Sequence, residues 1–249
     1  MTTPTLKDRI VIVTRPAHQA TAFCSDVEAA GGKVIGFPSI EIQVSAGAAE
    51  ALLVEIAEYD YVIYISPNAV AVAPPPKTLS GKLFAVGTAT AKALQAAGQK
   101  NIIAPESEAT SEALLALPEL QNVKGQTILI VSGAGGRNLL AETLRAREAY
   151  VQKAEIYRRA IPKNDTQLLD PVLVTPKKAV ITFTSGDAAR NFVSMIGTLA
   201  PALQQLPIVT GSIRIAEICA ELGFQQTAIA AKDPGDISMF AALQKLPRN

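Results

Sequence analysis

One pattern is written twice in this chain, from Arg9 to Ile42 and again from Gln126 to Ile161, and a repeat of that length constrains the fold more than any single motif does. Each copy runs apolar strand, small or polar turn, amphipathic helix, helix stop, second strand. In the first copy, Ile10 to Thr14 is a short apolar run of the kind that forms a strand covered on both faces in a parallel sheet. Ala20, Phe23, Val27 and Ala30 then recur at spacings of three and four, which places them on one helix face. Gly31 and Gly32 end that helix, because glycine enters the left-handed C-cap conformation without a steric clash.

Two more strand-helix pairs match across the chain. Tyr59 to Val72 resembles Ala179 to Phe192, and Leu83 to Gly98 resembles Pro207 to Gly223. If the three unit types are a, b and c, the chain reads a, b, c, a, b, c. Strands and helices alternating in this way imply an α/β fold with two similar parallel-sheet lobes and right-handed crossovers. Two connectivities fit. A tandem duplication splits the chain near residue 122; alternatively, the first unit packs with the last two and the middle of the chain forms the other lobe. Phe37 to Ser45 and Glu155 to Asp165 are the candidate interdomain connectors, since each has strand-like alternation, a proline and polar side chains. The run Ala73 to Thr78 holds three consecutive prolines and reads as a surface loop.

The composition removes several function classes. With 23 basic and 22 acidic residues the net charge is +1, so no global field attracts nucleic acid or an anionic membrane. Any anionic ligand must be met by a local arrangement. Aromatic residues are 5% of the chain and Trp is absent, which argues against recognition by aromatic stacking. Cys24 and Cys219 are too few for a disulfide framework and point to a reducing cytoplasm. The amino-terminal stretch lacks signal-peptide architecture, and no apolar run approaches the roughly 18 residues of a membrane span, so a soluble protein is expected.

Candidate binding groups cluster in the turns that follow strands. The loop Ser132 to Leu140 contains Gly133, Gly135 and Gly136, which let backbone N–H groups converge on an anion at a helix start, and Arg137 adds a cation. Glu155, at the end of the next strand, stands where a dinucleotide site places its ribose-binding acid, although the spacing is not G-x-G-x-x-G. A tight turn that needs small residues explains the loop equally well. The turns containing Ser66 and Asn68, Thr88 and Thr90, Thr184 and Ser185, and Ser212 and Arg214 all lie beyond strand ends, the edge at which open α/β sheets bind ligands. Any one of those hydroxyls could simply cap a helix, a contribution of about 1 kcal/mol. Arg15, after the first strand, is either an anion contact or a solvated loop charge. The single histidine, His18, has no partners at metal-ligand spacing and no nucleophile elbow accompanies it, so neither a metal site nor a serine triad is expected. Tyr157, between strand-like residues and a proline, is either a packed connector aromatic flanked by solvated Arg158 and Arg159 or, near a cleft, a phenol able to donate a proton to a leaving oxygen or hold one in place.

The ordered set Val13 to Ile42, Tyr64 to Val70, Ala85 to Gly98, Thr110 to Leu115, Gly135 to Ala146 and Tyr157 to Pro162 resembles the uroporphyrinogen-III synthase family. That resemblance implies two α/β lobes joined by a two-stranded β connector, with the first strand-helix unit packed beside the end of the chain. It places one lobe at residues 1–37 plus 163–249, the other at 45–154, and the connector strands at 38–44 and 155–162, with Tyr157 facing a cleft. The implied reaction cyclises hydroxymethylbilane, a multiply carboxylated linear tetrapyrrole, with loss of water and inversion of the last ring. It implies no cofactor and no metal. It also implies a monomeric cytoplasmic enzyme whose candidate partner is the enzyme that makes its substrate. By matched motif, the resemblance makes Tyr157 the candidate for assisting loss of the hydroxyl and implies that Ser66, Thr90 and Ser185 face the ligand, with Ser111 in a matching segment and Ser212 and Arg214 in the last turn. Arg15, Asn68, Thr88, Gly136 and Arg137 complete the expected binding set. Two departures from the family pattern are Pro67, which removes a backbone donor from the first turn, and Glu148, which stands where a helix-stopping glycine is common. Two other classes fit the residues alone: a two-lobed binding or regulatory protein for an anionic small molecule, and a nucleotide-dependent enzyme using the glycine loop.

Overall fold

The structure is a computed structural model and describes residues 6–47, 52, 56–106 and 108–247. Residues 1–5, part of the stretch expected to carry no leader, lie outside it. Short 3-10 turns aside, the elements run β1 (Ile10–Val13), α1 (Thr21–Ala29), β2 (Lys33–Gly36), β3 (Glu41–Val44), β4 (Tyr61–Tyr64), α2 (Pro67–Val72), β5 (Lys82–Ala85), α3 (Thr88–Ala96), β6 (Ile102–Ile103), α4 (Ser111–Leu115) and β7 (Thr127–Gly133). They continue with α5 (Leu139–Ala146), β8 (Tyr150–Ala160), α6 (Asp170–Val174), β9 (Ala179–Phe183), α7 (Gly186–Ile196), α8 (Ala200–Leu203), β10 (Ile208–Thr210), α9 (Ile213–Glu221), β11 (Ile229–Ala230) and α10 (Asp236–Leu243). The protein is α/β, and its strands form two sheets.

The chain divides into unit 1, Met1–Glu41 with Ala160–Asn249, and unit 2, Ile42–Arg159. Unit 1 has the strand order β11-β10-β9-β1-β2, and unit 2 has β3-β8-β7-β4-β5-β6. Strand β1 pairs in parallel with β9, Ile10 beside Ala179, while β7 pairs in parallel with β4. This is the second of the two connectivities: each sheet combines an a unit from one half of the sequence with b and c units from the other. The two crossings fall at residues 41/42 and 159/160.

Burial explains why the strands are apolar without alternation. In unit 2, Val62, Tyr64, Leu83, Leu129 and Val131 face one core with α2 and α3, while Ile63, Phe84, Ile128 and Ile130 face a second core with α4 and α5. Successive side chains point to opposite faces, and both faces are covered. Unit 1 repeats the scheme, with Phe23 and Val27 of α1 fully buried beside Met239 and Leu243 of α10 on one face. On the other face Phe192 stacks edge-on against Phe37 at 5.6 Å and Phe183 at 5.5 Å.

The segment leaving β2 is held in unit 1. Phe37 and Ser39 are fully buried. Ser39 N donates to Thr14 O at 2.9 Å, Ser39 Oγ to Ala188 O at 2.8 Å, and Asn191 Nδ2 to Ser39 O at 2.9 Å. Beyond it, β3 hydrogen-bonds beside β8 at the edge of unit 2's sheet. The second connector is the far end of the same eleven-residue strand β8. Replacing Phe192 by Ala empties the centre of this ring cluster, and unit 1 should lose about 3–5 kcal/mol in a urea titration.

Candidate functional site

Strands β4, β5, β7 and β8 of unit 2 run in parallel, so their carboxyl ends share one edge. At that edge the β7–β8 register slips: Ser132 is opposite Glu155, but Gly133 is opposite Tyr157. The extra residue is a β-bulge, and it turns two consecutive side chains, Ile156 and Tyr157, into the same core. Tyr157 is 3% exposed, yet its hydroxyl reaches Ser66 Oγ at 2.9 Å.

Gly133 makes this possible. A Cβ on Gly133 would lie 2.5 Å from Tyr157 Cζ and 3.0 Å from its hydroxyl oxygen, so any side chain there would occupy the phenol's place. Its place in a glycine-rich loop suggests an anion-binding role; its visible role is steric. Ala134 N donates to Tyr157 O at 2.7 Å and closes the strand pair above the bulge.

Ser66 has two duties. As N-cap of α2 its Oγ accepts the Ala69 N–H at 3.0 Å, and it also bonds the phenol. Pro67 follows at the first helical position, where a backbone N–H has no intrahelical partner, so the donor that proline lacks is not missed. Ile65, Ser66, Gly133, Ala134, Gly135, Gly136, Tyr157 and Arg159 surround a cavity of about 170 Å³. Arg159 is absent from the expected binding set; strand periodicity of two from Tyr157 is the signal that places it on the cavity side.

Other expected residues lie nearby or elsewhere in the fold. Asn68 is 8% exposed inside α2. Thr88 and Thr90 open α3, whose N-cap is Gly87 with no side-chain bond, so neither threonine caps; Thr88 is exposed and Thr90 buried. Ser111 is the first residue of α4, capped by Thr110 instead. Arg137 grips Glu112 of α4 through two bonds of 2.8 and 3.3 Å. Glu155 is paired with Lys153 at 2.7 Å, so the acid placed as a ribose contact has a neighbour on its own strand. Glu148, at the end of α5, takes the left-handed conformation with φ of 63° that a glycine would adopt freely.

Arg15, Ser185, Ser212 and Arg214 belong to unit 1. Ser185 caps α7 through Ala188 N at 3.1 Å, and Ser212 caps α9 through Ile215 N at 3.4 Å. Arg214 is exposed. Arg15 is not a solvated loop charge: it is 8% exposed, ion-paired with Asp236, and its guanidinium lies 4.8 Å from the centre of the Phe23 ring. Cys24 and Cys219 are free thiols, and burial pushes Cys219 up to about 12. Among the described residues no three His, Cys, Asp or Glu side chains converge on a metal position. No helix among them is long and apolar enough to cross a membrane.

This arrangement offers a buried phenol, hydrogen-bonded to a helix-capping serine, beside a glycine loop. It can present a proton donor to a polar group held in the cavity. Residues 22–240 match the family model described as uroporphyrinogen-III synthase HemD. The chain is 33% identical to the uroporphyrinogen-III synthase of Salmonella typhimurium, covering 94% of this chain and 99% of that protein. It is 30% identical to the enzyme of the same name from Escherichia coli, again over 94% of this chain and 99% of that one. Among solved structures, a uroporphyrinogen-III synthetase from Helicobacter pylori superposes with a TM-score of 0.60 at 15% identity, over 96% of this chain and 100% of that chain. A mutant uroporphyrinogen III synthase from Thermus thermophilus gives a TM-score of 0.56 at 18% identity, over 95% of this chain and 100% of that chain.

Two measurements check the local physics. Gly133→Ala should break the Tyr157–Ser66 bond and lower unit 2's stability by about 1–3 kcal/mol, read by crystal structure and urea titration. The Glu112 carboxyl accepts from its own backbone N–H at the start of α4 and from Arg137, and these hold it below its usual 4.5. Its pairing with Arg137 is therefore present above that range and lost as pH falls below it. Carbon-13 NMR of Glu112 should show the low midpoint, and Arg137→Ala should raise it.

Proposed function

The chain belongs to the uroporphyrinogen-III synthase family, and from that premise we propose that Tyr157, braced by Ser66, assists departure of the hydroxyl from hydroxymethylbilane. The protein is a cyclising lyase of tetrapyrrole biosynthesis, closing its linear substrate into uroporphyrinogen III with loss of water and inversion of ring D. The Tyr157–Ser66 hydrogen bond of 2.9 Å at the edge of a small cavity is the observation that carries the mechanistic reading.

Ser66 Oγ already accepts the Ala69 N–H, which polarises its own O–H as a donor. When that O–H donates to the phenol oxygen, the Tyr157 proton is free to turn into the cavity, and charge developing on the phenol oxygen is stabilised. The phenol then protonates the leaving hydroxyl, which departs as water. The glycine loop supplies the grip that this chemistry requires, because N–H groups around Gly135 and Gly136 are suited to a carboxylate arm, each charge-assisted bond contributing about 1.5–3 kcal/mol. A space of about 170 Å³ holds one arm or one ring of the substrate, since enclosing a whole drug-sized ligand takes roughly 300–1,000 Å³.

The remaining candidates divide by position. Thr88, Thr90 and Asn68 lie at or just beyond the strand ends of unit 2; Ser111 and Arg137 border the glycine loop through Glu112. In unit 1, Ser185, Ser212 and Arg214 offer hydroxyl, N–H and guanidinium donors, while Arg15 is spent on Asp236. We place the enzyme in the cytoplasm as a monomer without cofactor, receiving its substrate from the enzyme that makes it.

Tyr157→Phe should lower kcat about a hundredfold or more with little change in KM, whereas Ser66→Ala should lower kcat about tenfold. An assay with isomer-resolving chromatography reads both. An unaltered kcat in Tyr157→Phe overturns the role given to the phenol, and a wild-type protein yielding only the type I isomer overturns the reaction itself.

A further inference from the structure

Unit 1 leaves two large apolar side chains in water at the starts of two helices. Ile213 is 71% exposed and Ile237 88%. Ile213 is the first residue of α9, which leaves β10, and Ile237 is the second residue of α10, which follows β11. Cα–Cβ bonds in a helix lean toward its amino terminus, so both side chains lean toward the carboxyl edge of the sheet. Their turns are in contact: a Cβ on Gly211, ahead of α9, would lie 2.8 Å from Cβ of Pro234, ahead of α10. The same edge carries the Ser185 and Ser212 hydroxyls.

The repeat supplies an internal comparison. In unit 2, Val62 pairs with Leu83; in unit 1, the equivalent Ile181 pairs with Ile208. Counting forward from Leu83 and Ile208 puts Ile213 at the position of Thr88, the first residue of α3, which is also exposed. A polar side chain is therefore compatible with this place in the fold, and packing does not require the isoleucine. Keeping it exposed forgoes the stabilisation that burying such a side chain contributes.

We propose that Ile213 and Ile237 are substrate-positioning residues, covering the apolar faces of pyrrole rings at the carboxyl edge of unit 1 while neighbouring donors take the carboxylate arms. This rests on the tetrapyrrole reading above. Donors alone hold the charged arms and leave the rings free to turn about their one-carbon bridges. Apolar contact restricts the rings themselves, and ring orientation decides whether closure proceeds with inversion.

The test uses the full chain, hydroxymethylbilane and isomer-resolving chromatography, with the double variant Ile213→Ser/Ile237→Ser. Both side chains are in water, so its Tm should stay within about 2 °C of wild type. KM is expected to rise about tenfold and the type I fraction to increase; Ile213→Val should retain wild-type values. Val174→Ser is the control, because Val174 is 80% exposed but precedes β9, at the other end of the strands. Unchanged KM and isomer ratio in the double variant, beside an active wild type, overturn the proposal, as does an equal effect in Val174→Ser. A wild type that makes no type III product removes the functional reading and this proposal with it.

Discussion

Strand β1 lies between β2 and β9, so Ile10–Val13 are hydrogen-bonded on one side to residues close behind in the chain and on the other to Ala179–Thr182. Most of the chain is looped out by that second pairing. Closing a long loop is only slightly more demanding than closing a short one, because the entropy grows with the logarithm of length. The pairing is held by more than the ladder: Thr14 Oγ1 donates to Thr182 O at 2.7 Å and Thr182 Oγ1 to Ile12 O at 3.0 Å, both buried. These two hydroxyls are satisfied across the same strand pair, which is how a threonine is tolerated inside β9 and directly after β1. Unit 2 is accordingly an insertion into unit 1, entered at Ile42 and left at Arg159.

The site in unit 2 depends on a different local constraint, the missing side chain at Gly133. In a regular parallel pair, the residue after Ile156 would face away from the core that Ile156 occupies. The register slip reverses this, and the vacant Cβ position lets the ring lie across the end of β7. The buried ring keeps its hydroxyl within 2.9 Å of Ser66 Oγ and at the cavity. Two features that look like defects in a strand, a bulge and a glycine, aim the phenol to which we assign the proton transfer. Bulges recur where a sheet must re-aim a side chain, and here the bulge also shields the ring from solvent.

Much of the fold was legible because its signals are periodic. The runs of β1, β4, β7 and β9 are apolar on both faces, and Phe23 and Val27 are fully buried at the spacing of one helix face. Helix ends were legible at Gly31, Gly98 and Gly223, which adopt φ of 84°, 90° and 93°. What pattern could not decide was partner choice, since β1 and β7 are alike and either could sit beside β9. The choice lies in pairwise packing such as Phe37 against Phe192, which no periodicity encodes. In the candidate site, residue type and place single out Ser66, Gly136 and Tyr157, and the structure gathers them around one cavity. Their hydrogen bond was not legible, because it depends on a one-residue slip. The environment of Arg15 was hidden for a related reason: its partner Asp236 is 221 residues away.

The two sheets are built alike, yet only one carries the phenol, and the difference can be traced strand by strand. Ser66 and Ser185 occupy equivalent turns and make equivalent caps, to Ala69 N and Ala188 N. Beside Ser66 the neighbouring strand β7 ends in a glycine and the next strand supplies Tyr157. Beside Ser185 the start of α7 is met by Ser39, whose Oγ donates to Ala188 O at 2.8 Å, while Arg15, which follows β1, is paired with Asp236 and lies over Phe23 on the α1 and α10 side. A hydroxyl at a helix start is therefore common to both units and does not by itself make a reactive group. The neighbour separates them: beside Ser66 stands the Tyr157 phenol, and beside Ser185 stands Ser39, with Ile213 and Ile237 exposed at the starts of α9 and α10. The two edges follow one plan, and the residues at a few turn positions distinguish them.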